Sequence, residues 1–281
     1  KNCFGNIIKL NDKSFNFSQG YLKLTRKVEK LDIFFRYAPN SSLYKSKGSW
    51  KRIVPGINKE QLILTCVSSL KESILYFLKE NKIKITLHLI SDDSSQFFDN
   101  RLYNLIDTKE FEIVTHNSKI SGNRGSYLEC CDQAEKAKDL IFFIEDDYLF
   151  EKNCVDEMVL TFSRLSTLLK EDVITCPSDY SFFYDSLYKT SLFIGKKNRW
   201  RIVNETLLTF MLSKETFEQN NEYLRKVGEV VNEPFEKPLH DLYKKKICLA
   251  PVNTLSYHLS RAVPSINEDW ITLWNENFKK I

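Results

Sequence analysis

Apolar residues along this chain recur in two rhythms. Short apolar runs rich in Ile, Leu, Val and Phe read as strands buried on both faces, and apolar positions spaced three and four apart read as helices. The strand rhythm marks Gln61–Val67, Ile83–Ile90, Phe111–Thr115, Leu140–Ile144, Asp172–Cys176 (stopped by Pro177), Thr206–Met211 and Ile247–Ala250. The helical rhythm marks Ser69–Glu80, with Leu70, Ile74, Phe77 and Leu78 on one face and Ser68 or Ser69 as its cap. It marks Gln96–Ile106, a helix with Leu128, Cys131, Ala134 and Ala137 inward, and a long helix carrying Val155, Met158, Val159, Phe162, Leu165 and Leu169. Lys214–Lys226 and Glu268–Lys280 complete the set, and Ser256–Leu259 reads as loop. Strand alternating with helix predicts an α/β fold, a mostly parallel sheet flanked by helices.

The regular pattern starts near residue 59. Before it, Asn6–Leu10 and Leu31–Arg36 have strand character, and Ala38–Gly56, with Pro39, Gly48, Pro55 and Gly56, reads as loop. The expected organisation is an N-terminal extension over 1–58 and a main domain over 59–281, divided into a 59–150 half and a 151–281 half. A hydrophobic fraction of 42% supports a substantial core, and no apolar run reaches the ~18 residues of a membrane span. The net charge of +4 comes from lysines dispersed among acids, which argues against a nucleic-acid partner. Seven scattered cysteines without a CxxC pair argue against zinc and against a disulfide framework. They read as reduced core residues, so a cytoplasmic location, or one peripheral to a membrane, is expected.

The chemistry gathers at strand ends. The run Leu140–Ile144 leads directly into Glu145, Asp146 and Asp147. Buried carboxylates cost several kcal/mol each unless compensated, whereas at the carboxyl end of a strand they can face a crevice and a cation. An all-oxygen acidic cluster suits Mg2+ or Mn2+. Other predicted strands bring Thr65 and Ser68, Asp92 and Asp93, and Asn117 to the same edge, and Asn123-Arg124-Gly125 forms a turn before the next helix. A carboxylate there can accept from a base N–H or a ribose hydroxyl, and a guanidinium can clamp a phosphate. Simpler roles stand beside these: helix capping for Asp92 and Asp93, turn formation for Asn117, an exposed turn for Arg124.

With Leu62–Ser68, Ser91–Ser94, Asn117–Gly125 and Phe142–Asp147 in this order, the chain resembles the GT-A glycosyltransferases, particularly the family-2-like group, with Glu145-Asp146-Asp147 as its DxD-type motif. The likeness covers roughly residues 60–150; Glu145 replaces the usual first Asp, and the nucleotide turn is poor in glycine. It implies a metal-dependent transfer of sugar from a nucleotide-sugar donor, a UDP-sugar foremost, to a glycan or lipid-linked hydroxyl acceptor. It implies Asp147 on Mn2+ or Mg2+, and Glu145 or Asp146 on the ribose or sugar. A late histidine, His258, would complete the metal shell, with a structural histidine as the alternative. Asp241, at a helix start well downstream of the triplet, would be the catalytic base, with Glu205 and Asp179 in reserve, and the alternative for Asp241 is a helix N-terminal carboxylate. The aromatic and basic stretch Tyr180–Arg201 would meet the acceptor, Trp200 foremost. A nucleotidyltransferase is the competing enzyme, disfavoured by the lack of glycine after the first predicted strand; a catalytically inactive GT-A carbohydrate-binding module is the non-enzymatic alternative.

Overall fold

The computed structural model describes residues 22–41, 53–185, 187, 189–260 and 270–281. The proposed strand at Asn6–Leu10 and the first residues of the closing helix lie outside them.

The chain enters the sheet with β1 (Lys30–Tyr37) and continues into a long helix, α1 (Lys59–Leu78). Then follow β2 (Lys84–Ser91), α2 (Gln96–Ile106), β3 (Glu112–Asn117), α3 (Asn123–Ala134) and β4 (Leu140–Glu145). Beyond the acids come β5 (Tyr148–Phe150), α4 (Cys154–Leu169), β6 (Ile174–Thr175), β7 (Leu192–Ile194), β8 (Arg199–Val203) and β9 (Phe210–Ser213). The chain closes with α5 (Lys214–Gln219), α6 (Asn221–Glu229), α7 (Lys237–Tyr243), β10 (Cys248–Pro251), β11 (Ser256–His258) and α8 (Trp270–Phe278). Nine strands form one sheet in the order β3-β2-β1-β4-β9-β6-β10-β8-β7, and β5 pairs with β11 apart from it. Only β8 and β9 run against the remaining strands of the large sheet, so it is mostly parallel, as expected.

The largest correction concerns the first expected strand. Gln61–Val67 is helical, part of the 20-residue α1, and the true first strand is β1. β1 lies between β2 and β4, with Leu31, Ile33, Phe34 and Phe35 fully buried, so the boundary near residue 58 cuts through the centre of the sheet rather than beside it. The cause is symmetrical burial. One side of α1 packs Ile63, Leu64, Val67, Leu70, Ile74 and Phe77 into the main core, while Leu62 and Cys66 join Leu149, Tyr257, Leu259 and Trp274 in a second cluster beneath β5, β11 and α8. A helix covered on both sides shows no amphipathic stripe, and a short window of it looks like a buried strand. The legible signal is at its start: Asn58 and Gln61 exchange hydrogen bonds as a capping box. Among the described residues α1 alone has the length and composition of a membrane span, yet 67% of its apolar window is buried inside the protein.

Smaller differences share one origin, local breaks invisible to periodicity. The expected strand Thr206–Met211 begins later, at Phe210, and the expected helix Lys214–Lys226 is broken at Asn220 into α5 and α6. Ser256–His258 is strand because it pairs with the equally short β5. Trp200 is fully buried, and its indole N–H donates to Glu157 Oε1 at 3.3 Å. The same buried carboxylate accepts the backbone N–H groups of Lys197 and Asn198, so it closes the β7–β8 turn, and Trp200 is a core residue rather than an acceptor contact. Gly195 is required there, since a Cβ would lie 2.3 Å from both Thr161 Oγ1 and Trp200 Nε1.

A polar ladder ties the first three strands. His88 on β2 reaches Asp32 Oδ1 on β1 through Nε2 (3.3 Å) and His116 Nε2 on β3 through Nδ1 (3.0 Å), and its ring stacks on Phe34. Burial would raise the Asp32 carboxyl's pKa, but the bonds from His88 and Lys30 outweigh it and hold the group below its ordinary value. His88→Phe keeps the stack and removes the bond to buried Asp32. It is expected to lower unfolding free energy in urea by about 1–3 kcal/mol.

Candidate functional site

The carboxyl ends of β1, β2 and β4, with the start of α3, enclose a cavity of about 440 Å3. Arg36, Tyr37 and Ala38 come from β1 and its exit, Asp92 and Asp93 from the turn after β2, Gly122, Asn123 and Ser126 from the start of α3, and Glu145, Asp146 and Asp147 from the end of β4. Lys59, the first residue of α1, joins them. A parallel sheet has its ligand crevice at this edge.

Each acid of the triplet has a different partner. Glu145 Oε1 receives Arg36 at 2.6 Å, and Arg36 also donates to the side chain and carbonyl of Asn123. Asp146 is held from both sides, Oδ1 by Lys59 Nζ at 2.6 Å and Oδ2 by the Ala38 N–H at 2.9 Å. Asp147 Oδ2 stands 3.5 Å from His258 Nε2, and the Asp147 carbonyl accepts the Leu259 N–H, which fixes β11 beside the triplet. The His258 ring stacks on Tyr148, whose hydroxyl meets that of Tyr180 at 2.7 Å. Burial works against the charged forms of Arg36 and Lys59. The carboxylates nonetheless win and raise both above their ordinary values, so both are cations.

At the other end of the cavity Asp92 is 4% exposed. Its Oδ2 accepts the Gly122 N–H at 2.9 Å, while Oδ1 is buried with no hydrogen-bond partner among the described residues. Asp93 follows with φ at 51°, a left-handed conformation that Asp tolerates better than most residues, and its carbonyl accepts from Asn40. Neither residue caps α2; Ser95 does, accepting the Phe98 N–H. The Ser121–Asn123 turn is seated by Gly125, where a Cβ would come within 1.8 Å of the Ile120 carbonyl oxygen.

The structure therefore assembles Asp92, Asp93, Glu145, Asp146 and Asp147 around one cavity, sets His258 against Asp147, and leaves several expected residues outside it. Thr65 and Ser68 are buried on α1, bonded to the Gln61 carbonyl and to Asn277, because their segment is helix. Asn117 ends β3 on the exposed edge, one strand beyond the cavity. Arg124 points the other way, donating to the carbonyls of Gly228 and Glu229 at the end of α6. Asp241 is on the solvent side of α7, whose buried face is Pro238, Leu239, Leu242 and Tyr243, and it pairs with Lys244 at 2.7 Å. Of the reserves, buried Asp179 is paired with Arg201 and with the Tyr184 hydroxyl, and Glu205 lies in the loop before β9.

The carboxylate that α7 does present is Glu236, its N-cap residue. Burial first, and then the negative charge of Glu145, push its pKa up to about 7 against the opposing pull of Arg36 and His258, which places it in the field of the site. Arg36, Lys59 and Glu236 are the functional candidates that sequence reasoning missed. Each had a signal: Arg36 ends an apolar run as the triplet does, Lys59 follows the Asn58 cap, and Glu236 precedes Pro238 at a helix start.

The same architecture occurs in solved structures. UDP-glucose pyrophosphorylase complexed with UDP-glucose aligns over 90% of this chain and 100% of its own, with 12% identity and a TM-score of 0.51. S. aureus TarS 1–349 aligns over 81% of this chain and 59% of its own, with 9% identity and a TM-score of 0.50. TarS 1–349 in complex with UDP gives 7% identity, the same coverage and the same TM-score. At these identities the likeness is one of fold, that of the nucleotide-sugar transferases. No protein-family profile matches the chain, and no curated protein matches it.

A carboxyl raised from about 4.5 to about 7 favours the protonated folded state. The sign follows: there is no penalty below the unfolded pKa, and stability is lost as pH rises through the folded one, by at most about 3 kcal/mol. Glu236→Gln removes that cost. Thermal unfolding should give the variant a higher Tm than the parent at pH 8 and an equal one at pH 4.5.

Proposed function

We propose that this protein is a glycosyltransferase that moves a sugar from a nucleoside-diphosphate donor to a hydroxyl acceptor with the help of a divalent cation. The observation that carries the reading is the Asp147–His258 pair, 3.5 Å apart at the carboxyl edge of the sheet, with the two preceding acids already neutralised by Arg36 and Lys59. Among the described residues no three His, Cys, Asp or Glu groups form a metal cluster. Two protein donors, one carboxylate and one imidazole, fit Mn2+ or Mg2+ when phosphate oxygens and water supply the other ligands. Such a cation would stabilise the departing diphosphate by Lewis-acid action.

The chain's own residues divide the remaining work. Asp92 Oδ1, buried and without a partner among the described residues, can accept a base or ribose donor, an interaction that would satisfy an otherwise costly group. Glu236, with a pKa of about 7, is suited to take the acceptor proton. As the acceptor oxygen bonds to the anomeric carbon, its proton passes to Glu236, the bond to the diphosphate oxygen breaks, and the nucleoside diphosphate leaves. The competing reaction, nucleotidyl transfer, is supported by the likeness to the pyrophosphorylase. A phosphate-cradling glycine turn after the first strand would suit it, and β1 here exits through Ala38-Pro39-Asn40 with no glycine before Gly48.

Two outcomes test the assignment. In calorimetric titrations with UDP, Asp147→Asn should fold normally and lose the Mn2+-dependent gain in affinity; an unchanged gain would remove Asp147 from the cation site. Glu236→Gln should retain donor binding while transfer, read as donor turnover, falls by roughly 10²-fold or more. The parent's rate should rise with pH through about 7 and level off above it, since the unprotonated carboxylate is the active form. A variant that keeps this limb at full rate would exclude Glu236 as the base.

A further inference from the structure

The large sheet ends at β7, and its outer hairpin turns apolar side chains to solvent. Leu192 and Ile194 are 62% and 60% exposed. They share one face of the hairpin, because the antiparallel register sets Leu192 opposite Arg201 and Ile194 opposite Arg199. The pair between them, Phe193 and Trp200, points to the other face, where Trp200 is fully buried. Tyr184 continues the exposed face. The Arg201 guanidinium carbon lies 4.4 Å from the centre of its ring, and the residue is 53% exposed.

Positive charge accompanies these side chains. From Tyr184 to Arg199 the sequence holds four basic residues and one acid, Asp185. Lys196 is bound to Asp156 at 2.6 Å, whereas Lys189, Lys197 and Arg199 are exposed and form no salt bridge among the described residues. The hairpin is stiff, since the Glu157 carboxylate accepts the N–H groups of its turn at Lys197 and Asn198. An apolar ridge rimmed by cations is complementary to an anionic lipid surface. Aliphatic side chains enter the acyl boundary, a tyrosine settles among the headgroups, and the cations meet phosphates. A strand added from a second copy suits this edge less, because the carbonyls of Ile194 and Gly195 already accept from the Arg164 guanidinium.

We propose that the β7–β8 hairpin is a membrane-docking surface, which seats the protein on an anionic phospholipid bilayer through Tyr184, Leu192 and Ile194, with Lys197 and Arg199 on the headgroups. The inference is independent of the reading of the cavity and goes beyond it.

The test is co-sedimentation of the parent chain with vesicles of phosphatidylcholine alone and of phosphatidylcholine mixed equally with phosphatidylglycerol, at low and at high salt. The parent should bind the mixed vesicles, lose that binding as salt rises, and ignore phosphatidylcholine alone. Leu192→Ser combined with Ile194→Ser should weaken binding roughly 10-fold or more, through lost apolar burial. Lys197→Gln combined with Arg199→Gln should weaken it to a similar degree, roughly 10-fold or more, through lost headgroup attraction. All four positions are open to solvent or at a turn, so both variants should keep the parent's Tm; if the serine variant fails to fold, the glutamine variant decides alone. Absence of binding to the mixed vesicles, equal binding to the neutral ones, or parent-like binding by either folded variant overturns the proposal. Sedimentation velocity without lipid supplies the last arm. A monomer at all concentrations is expected, and a dimer that the serine variant abolishes would show that a second copy covers the face, which also overturns it.

Discussion

Three consecutive carboxylates at the end of a buried strand are the constraint around which this molecule is built. Left alone they would repel one another and lose their hydration, a cost of several kcal/mol for each charge. The fold resolves the problem with groups from three separate places: Arg36 from β1, Lys59 from α1 and His258 from β11. None of the three is near the triplet in sequence, so the triplet is tolerable only in the assembled structure. Removing one member of such a buried pair typically costs about 3–5 kcal/mol, much of it the charge left behind. The pairs therefore make the geometry of the site conditional on correct folding of the whole sheet edge.

That dependence explains why β1 must be central. Arg36 stands opposite Glu145 in the parallel register of β1 and β4, one step after the Phe35–Ile144 pair. A slip of one residue would turn the guanidinium to the other face and leave Glu145 bare. The register is held elsewhere by the apolar positions of β1 and by the Asp32–His88–His116 ladder across β1, β2 and β3. The ladder runs diagonally across the three strands, from Asp32 near the amino end of β1 to His116, which stands level with Arg36.

The parallel half of the sheet and the acidic edge were legible in the sequence because the residues that signal them are contiguous: apolar runs followed at once by Asp92-Asp93 or by Glu145-Asp146-Asp147. What was not legible is long-range. Leu62–Val67 gave no sign of being helix because it is covered on both sides, and only the Asn58–Gln61 box marked its true nature. With that segment misread as the first strand, Thr65 and Ser68 took the place that belongs to Arg36 and Tyr37. Asp241 lies outside the cavity for a different reason. It is within α7 and Glu236 is the N-cap of the same helix, and which residue is turned to solvent depends on how α7 packs, through Leu239 and Leu242, on a core that no local pattern reveals.

The polarity of the cavity then follows from which element supplies each wall. The β2 turn and the start of α3 bring the unsatisfied Asp92 oxygen and backbone amides, suited to neutral hydrogen-bonding groups such as a base or ribose. The triplet with Arg36 and Lys59 brings alternating charge. Glu236 brings a carboxyl that burial, and then the negative charge of Glu145, push up to about 7 against the pull of Arg36 and His258. The environments differ because the partners of the triplet are unevenly placed: Arg36 is paired with Glu145, Lys59 with Asp146, and His258 stands beside Asp147. On the proposed reading the crevice holds a neutral group and a polyanion, and a single run of three acids with its partners sets the field for both.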